Sequence, residues 1–268
     1  MSSVINRVID VFELLAEHPS GLQVSEIASR TSQPVSGAHR MLTELIRLGY
    51  VQQTDLDRTY ALTVRLPALG LSYFSRSGVP DVVQPVLDRL AAETCELARL
   101  SVIDGARLVW VAVAQGATSG LRFDPAREQG HEAHLACTSS GQAWLMTLPD
   151  DQALTMVARQ GLLPDFPVGP NAPREIGELI ETLRKAREAG YASTTDTFMD
   201  GMSAIAMPVR RATDNRVIGC ISIAGPSVRM RPARIADIAP MVKRAADSIS
   251  SIASASQYFN LPARNPLA

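Results

Sequence analysis

The sequence predicts a mixed α/β (α+β) chain in two parts: an N-terminal winged helix-turn-helix and, after a connector, an antiparallel sheet covered by helices. Three observations carry this. Residues 21–51 read as two short helices around a tight turn, leading into a β-hairpin. The polar stretch Ser75-Arg76-Ser77-Gly78-Val79-Pro80 then breaks the periodic pattern. Beyond it, strand pairs are flanked by helices, the layout of an α+β sensor.

The first helix is expected over about 4–17, where Val4, Ile5, Val8, Ile9, Phe12 and Leu15 recur at three- and four-residue steps. His18-Pro19-Ser20-Gly21 ends it. A second helix covers roughly 24–30 with Ile27 and Ala28 inward, and Thr31-Ser32-Gln33 is the turn. Pro34 suits the first turn of a third helix over about 35–48, where its missing N–H costs nothing. Ala38, Met41, Leu42, Leu45 and Ile46 form that helix's inward stripe, and Ser36, His39, Arg40, Thr43 and Arg47 the opposite face. Residues 49–53 and 59–62 alternate as a hairpin with Arg58 at its tip.

In the second part a helix is expected over 81–97, with Val82, Val86, Leu87, Leu90 and Ala91 inward. Strands follow over 98–103 and 107–113 around the Asp104-Gly105 turn. A helix over 174–189 stops at Gly190. Strands over 202–210 and 216–224 flank a turn at 212–215, and a long helix over 232–256 closes the chain.

A helix-turn-helix of this order commonly places its second helix in the major groove of DNA. The third helix offers a hydroxyl (Ser36), a glycine that permits close backbone approach (Gly37), an imidazole (His39) and a guanidinium (Arg40), with Thr43 and Arg47 further along. These groups bond phosphates and base edges. Arg58 is placed to reach a phosphate or the minor groove. The expectation is a ligand-controlled transcription factor.

Composition sets bounds on that expectation. The 268 residues suit two domains, and 46% hydrophobic with 20% charged residues allows a packed core. No run approaches 18 apolar residues, and the N-terminus lacks a signal-peptide layout, so neither a membrane span nor export is expected. Cys95, Cys137 and Cys220 are odd in number and far apart, which fits a reducing cytoplasm better than disulfides or a cysteine zinc site. Net charge is −1, and residues 1–70 hold six Arg, no Lys and seven acids. Positive surface for DNA must therefore come from placement, through Arg40, Arg47 and Arg58.

Pro34-Val35-Ser36-Gly37-Ala38-His39-Arg40-Met41-Leu42 resembles the Pro-Lys-Ser-Thr-Val-His-Arg-Leu-Leu opening of the recognition helix in the IclR family of bacterial transcriptional regulators. Val35 and Gly37 depart from it, replacing a phosphate-binding lysine and a threonine. The resemblance continues through a linker segment at 60–73. It runs on through Leu135-Ala136-Cys137-Thr138-Ser139-Ser140-Gly141-Gln142-Ala143, Ala189-Gly190-Tyr191-Ala192, Gly201-Met202-Ser203-Ala204-Ile205-Ala206-Met207-Pro208-Val209 and Cys220-Ile221-Ser222-Ile223-Ala224-Gly225-Pro226. It implies a GAF-like effector-binding domain joined to the DNA-binding domain by a linker helix. The domains are then 1–65 (winged helix), 66–80 (linker helix and hinge), 81–257 (effector binding) and 258–268 (tail). It also implies a homodimer or homotetramer on a pseudo-palindromic operator, acting as repressor or activator of a catabolic operon.

The same resemblance places Ser140, Gly141, Asp196, Ser203 and Ser222 at the effector. Physical reading adds Ser139, whose hydroxyl opens a helix reaching Leu148, and a helix N-terminus favours an anion. Ser203 and Ser222 sit in apolar strands, where a hydroxyl needs a partner. Trp144 shares a helix face with Ser140, although ordinary core packing is the better reading of that residue alone. Ala136 and Ala224 stand where the family often has histidine and serine, so an aromatic or apolar acid is the expected effector. No cofactor is expected.

Rival readings are weaker. His131-Glu132-Ala133-His134 is not a His-Glu-x-x-His metal motif. A hydrolase with an appended helix-turn-helix would use Ser139 or Ser140 as nucleophile and His134 as base, but no Gly-x-Ser-x-Gly elbow and no phosphate-binding glycine loop is present. An architectural DNA-binding protein without a sensor would need more basic charge.

Overall fold

The structure, a computed structural model, describes residues 3–54, 56–123 and 129–261. The chain divides into two compact units, Met1–Arg76 and Ser77–Ala268. The tail residues from 262 onward lie outside the described ones.

The first unit contains α1 (Val4–Ala16), α2 (Val24–Arg30), α3 (Val35–Arg47), the hairpin β1 (Val51–Gln53) and β2 (Tyr60–Leu62), and α4 (Arg65–Arg76). Its small core joins Val11, Leu15, Leu22, Ile27, Leu42, Leu45, Val51 and Tyr60. Tyr60 also exchanges backbone hydrogen bonds with Leu22, tying the hairpin to the segment before α2. Arg65, at the start of α4, stacks over the Tyr50 ring at 4.9 Å and donates to the Leu48 carbonyl at the end of α3.

Two details differ from the sequence reading. Val4, Ile5 and Ile9 are exposed (62, 74 and 47%), and the buried line of α1 runs through Val11 and Leu15 instead. Its apolar arc is wider than the core it covers. Ile46 is likewise exposed, and Pro34 sits at the N-cap of α3 rather than inside its first turn. On α4 no residue is buried, so Leu69, Leu71 and Tyr73 face outward.

The second unit is a five-stranded antiparallel sheet in the order β4-β3-β7-β6-β5, made of β3 (Leu97–Asp104), β4 (Arg107–Gln115), β5 (Ala192–Thr195), β6 (Met202–Arg210) and β7 (Val217–Pro226). One face is covered by α5 (Val79–Thr94) and α9 (Pro232–Ile252). The other carries α6 (Ser139–Leu145), α7 (Asp150–Gln160) and α8 (Ile176–Ala189), packed on Leu108, Trp110, Ala192, Ala206 and Cys220.

The helix expected over 81–97 begins and ends earlier. Cys95 takes a left-handed conformation that stops it, and Leu97 already pairs with Ala224 in the sheet. Sequence reading did not separate α7 or the four-residue β5. The long closing helix gives way to a short 3-10 turn at Ala253–Ala255. Phe259 then packs into the unit, and its carbonyl accepts from Arg211.

A salt bridge between buried Glu96 and exposed Arg229 joins the residue before β3 to the segment after β7. Arg229 donates Nε to Glu96 Oε1 (2.7 Å) and Nη2 to Oε2 (2.9 Å), and its Nη1 reaches the Leu121 carbonyl. The bidentate geometry raises the Arg229 pKa, first through the hydrogen bonds that Arg229 donates to Glu96. Among the described residues no helix is long and apolar enough to cross a membrane, and no group of three potential metal ligands gathers.

Candidate functional site

Two constellations carry polar chemistry, one in each unit. In the first, the core residues Ala38, Leu42 and Leu45 hold α3 by its inner face. Ser36, His39, Arg40, Thr43 and Arg47 lie on the outer face and are exposed, with Gly37 half-buried in the first turn. Arg58 is exposed at the hairpin tip in a left-handed conformation (φ 51°), held there by its N–H to the Thr54 carbonyl (3.1 Å). A rigid helix thus presents an imidazole and a guanidinium to solvent, with a second guanidinium on the wing.

Not every group on that face is equally available. Thr43 Oγ1 donates to the His39 carbonyl (2.9 Å), which leaves it as an acceptor. Arg47 is engaged by Glu44, through Nε to Oε2 (2.9 Å) and Nη2 to Oε1 (2.5 Å). The hydrogen bond lowers the Glu44 carboxyl pKa and raises that of Arg47. Both side chains are well exposed, so the pair adds little stability. It does occupy a cation that a phosphate would use. Glu44→Gln is therefore expected to raise DNA affinity about 3- to 10-fold at low salt and to steepen the salt dependence. The melting temperature should stay that of the parent. Anisotropy titrations at two salt concentrations check both.

In the second unit, α6 lies across β5, β6 and β7, and all seven of its residues are buried. Thr138, not Ser139, is its cap: Thr138 Oγ1 accepts from the Gly141 N–H (3.0 Å). The helix ends at Leu145, shorter than the expected run to Leu148, because Thr147 and Leu148 turn back onto Trp144 and Leu145. Among the described residues, Ser139 Oγ, Ser140 Oγ and, on β7, Ser222 Oγ have no hydrogen-bond partner although all three side chains are buried. A buried hydroxyl without a partner costs about 1–3 kcal/mol.

Strand register sorts the remaining expected residues. Ser222 stands opposite Arg99 on β3 and Ala206 on β6, and facing partners share a side of the sheet. Ser203 stands opposite Thr195 and Gly225, one step out of phase, so it belongs to the other face. Its hydroxyl is already bonded to Thr195 Oγ1 (3.1 Å). Asp196 follows β5 and is partly exposed. It turns the chain at φ 50°, its carboxylate accepting from the Gly201 N–H (2.8 Å). Trp144 packs in the main core with α7 and α8, and Gly141 lies against the Leu135 backbone. The structure thus brings Ser139, Ser140, Gly141, Trp144 and Ser222 into one helix-and-sheet layer, with Ser203 on the opposite face of the sheet.

Sequence reading missed three side chains on that layer. Arg99 is 2% exposed and its guanidinium lies 5.0 Å above the Trp110 ring. Phe198 meets Trp110 edge-on at 6.2 Å, and with Phe123 it packs on Met202, Ala204 and Ala224. An arginine within Leu97-Ala98-Arg99-Leu100-Ser101-Val102 was the available signal, since charge in an apolar strand is costly. His134 is buried, burial lowers its pKa, and neither ring nitrogen bonds Ser139 or Ser140. No nucleophile–base pair is assembled there. Burial also pushes the Cys137 thiol up to about 11 and Cys220 higher still, so both remain thiols at neutral pH.

Comparison with known proteins agrees with this geometry. The family model for the bacterial transcriptional regulator IclR C-terminal region matches residues 71–251, and that for the IclR helix-turn-helix domain matches residues 4–55. The chain is 28% identical over 247 residues to the HTH-type transcriptional regulator BhcR of Paracoccus denitrificans, covering 92% of this chain and 85% of that protein. It is 27% identical over 235 residues to the p-hydroxybenzoate hydroxylase transcriptional activator of Acinetobacter baylyi, covering 86% and 84%. Its fold is similar to the crystal structure of an IclR homologue from Microbacterium hydrocarbonoxydans complexed with 4-hydroxybenzoate, at TM-score 0.74 and 23% identity, covering 95% and 100% of the two chains.

Proposed function

The chain belongs to the IclR family of bacterial transcriptional regulators, is a DNA-binding regulator and not an enzyme, and on that premise we propose how it divides the work. The outer face of α3 reads operator DNA in the major groove, with Ser36, Gly37, His39 and Arg40 nearest the bases, Thr43 and Arg47 on the flank, and Arg58 on the backbone beside the wing. The observation that carries this is the two-sidedness of α3: three residues lock one face into the core while the polar set stands in solvent. The second unit binds a small organic acid, which Ser139, Ser140 and Ser222 meet with their unsatisfied hydroxyls. The aromatic side chains Trp110 and Phe198 beside them favour an aromatic body. That one fold relative was crystallised with 4-hydroxybenzoate makes this acid a sensible first probe.

The regulator acts in the cytoplasm as a dimer or higher oligomer on a two-fold operator. The exposed Val4, Ile5 and Ile9 of α1 and Leu69, Leu71 and Tyr73 of α4 support association, since a monomer gains nothing by presenting them to water. The effector shifts the equilibrium between arrangements of the two heads by its difference in affinity for them.

The test is anisotropy titration of the full chain onto its own upstream intergenic DNA, beside the double variant His39→Ala, Arg40→Ala. Losing base contacts worth about 1–3 kcal/mol each should weaken specific binding at least about 100-fold, with an unchanged melting temperature. Equal affinity of the two proteins for that DNA and for random DNA would overturn the reading of α3.

A further inference from the structure

We propose that the segment Ala253–Leu261 is a brace that couples the β6–β7 end of the sheet to Ser77-Gly78, where the chain enters the second unit, and so carries the state of the sensor toward the DNA-binding unit; this rests on the reading of the chain as a ligand-controlled regulator. The match to the C-terminal family model ends at residue 251, so the segment lies beyond what that model describes. At its near end the Ser77 carbonyl accepts two hydrogen bonds, from Ser256 Oγ (2.8 Å) and from the Tyr258 N–H (3.3 Å). Ser256 is fully buried, and Ser77 nearly so. Gly78 beside it is left-handed (φ 71°), and a Cβ there would lie 3.3 Å from the Ser256 Cα. The Tyr258 hydroxyl donates to the Ile103 carbonyl on β3 (3.4 Å), and Phe259 is buried next to its ring. At the far end Arg211 Nη1 donates to the Phe259 carbonyl (3.1 Å) and Arg216 Nη2 to the Leu261 carbonyl (3.0 Å).

Each anchor is of a kind that holds backbone in place. The two arginines stand at the two ends of the β6–β7 turn, joined by the Arg211 N–H to the Arg216 carbonyl (2.7 Å). Asp214 fixes the Arg211 fork, accepting from Nε at Oδ1 (2.9 Å) and from Nη2 at Oδ2. Charged donors on carbonyl acceptors are stronger than neutral pairs, and they grip the segment whatever its side chains are. β7 starts at Val217, next to Arg216, and carries Ser222. A molecule that bonds the unpartnered Ser222 hydroxyl therefore acts on the strand that holds the brace. Docked, the segment fixes the Ser77 carbonyl and with it the direction in which the chain enters α5. Released, Gly78 takes other backbone angles, the behaviour of a hinge. The brace is thus a two-state element that the sensor at one end and the DNA heads at the other can both bias.

The deciding measurement is hydrogen exchange of the full-length protein, read by mass spectrometry, beside anisotropy on its upstream intergenic DNA. The parent, Arg211→Met, Ser256→Ala and their double variant are compared. Leu183→Ala is the control, since it loosens the core under α8 and leaves the brace intact. Arg211→Met is expected to raise exchange over residues 77–87 at least about 10-fold, although it lies on another element. It should also lower DNA affinity about 5-fold or more, because heads released from one arrangement spend less time in the competent one. Ser256→Ala should do the same, and the double variant should add little, since both cut one brace. Leu183→Ala should lower the melting temperature without favouring residues 77–87. Exchange in Arg211→Met that rises only at the β6–β7 turn and in the segment itself, or that rises evenly across the unit as in Leu183→Ala, overturns the brace. Faster exchange over residues 77–87 with unchanged DNA affinity leaves a local clamp and overturns the coupling. Failure of the parent to prefer that DNA over random DNA overturns the regulator reading, and the coupling with it, whatever the exchange shows.

Discussion

Replacing Leu42 with alanine is expected to melt the N-terminal unit and abolish DNA binding, while the second unit stays folded. Leu42 is fully buried at the centre of α3, in a core of eight buried residues contributed by α1, the segment before α2, α2, α3 and the hairpin. Truncating a buried leucine removes its transfer free energy and leaves a cavity, together about 2–5 kcal/mol. A unit this small rarely has more than about 3–5 kcal/mol in total. The same helix carries the DNA-facing residues on its other side, so the loss of packing is a loss of function. Two calorimetric transitions should separate, one shifted sharply down and one unmoved, with anisotropy reporting no specific complex. A single transition close to that of the parent would show that the core of α3 tolerates the cavity.

Gly141→Val is expected to have the opposite signature. A Cβ at this position would lie 2.4 Å from both the Cα and the carbonyl oxygen of Leu135, and 2.7 Å from the carbonyl of His134. These are backbone atoms that cannot rotate away, and two further methyl groups add to the clash. α6 must move off the segment before it, which disturbs Ser139 and Ser140 and opens the core around Ala143 and Leu145. Overpacking of this kind costs about 1–3 kcal/mol or more. The second unit should melt at lower temperature and stop responding to any effector, while DNA affinity without effector is retained. The milder Gly141→Ala separates backbone collision from side-chain bulk. If it too abolishes the response, the collision with the Leu135 backbone suffices.

Much of this architecture was legible because it is local. The 3.6-residue rhythm of α2 and α3, the Gly190 stop of α8 and the Asp104-Gly105 turn each declare themselves within a few residues. What failed depended on distant partners. Whether Ser203 and Ser222 share a face follows from the register of β6 on β7 and of β3 on β7, which no single strand encodes. The apolar arc of α1 was read as wholly buried because periodicity gives a direction, not the width of the surface it meets; Val4, Ile5 and Ile9 lie beyond that edge. β5 was missed because Ala192-Ser193-Thr194-Thr195 is short and polar, and only its pairing with β6 makes it a strand. Arg99 was visible as an oddity, but its neighbours Trp110 and Ser222 come from other strands. The bond that the Asp196 carboxylate accepts from the Gly201 N–H was not legible either, since it forms across a turn.

The unspent hydroxyls of Ser139, Ser140 and Ser222 have a consequence for the lifetime of the protein. Polar groups held out of contact with water and without a partner lower the stability of the fold that contains them. Any molecule that satisfies them stabilises the fold by mass action, by about 2.7 kcal/mol at 100 times its dissociation constant. If an organic acid is that molecule, adding it should slow proteolysis of the second unit. On the organic-acid reading, abundance would then follow occupancy, and the signal would be written twice: once in the shape of the regulator, and once in how many copies survive to carry it.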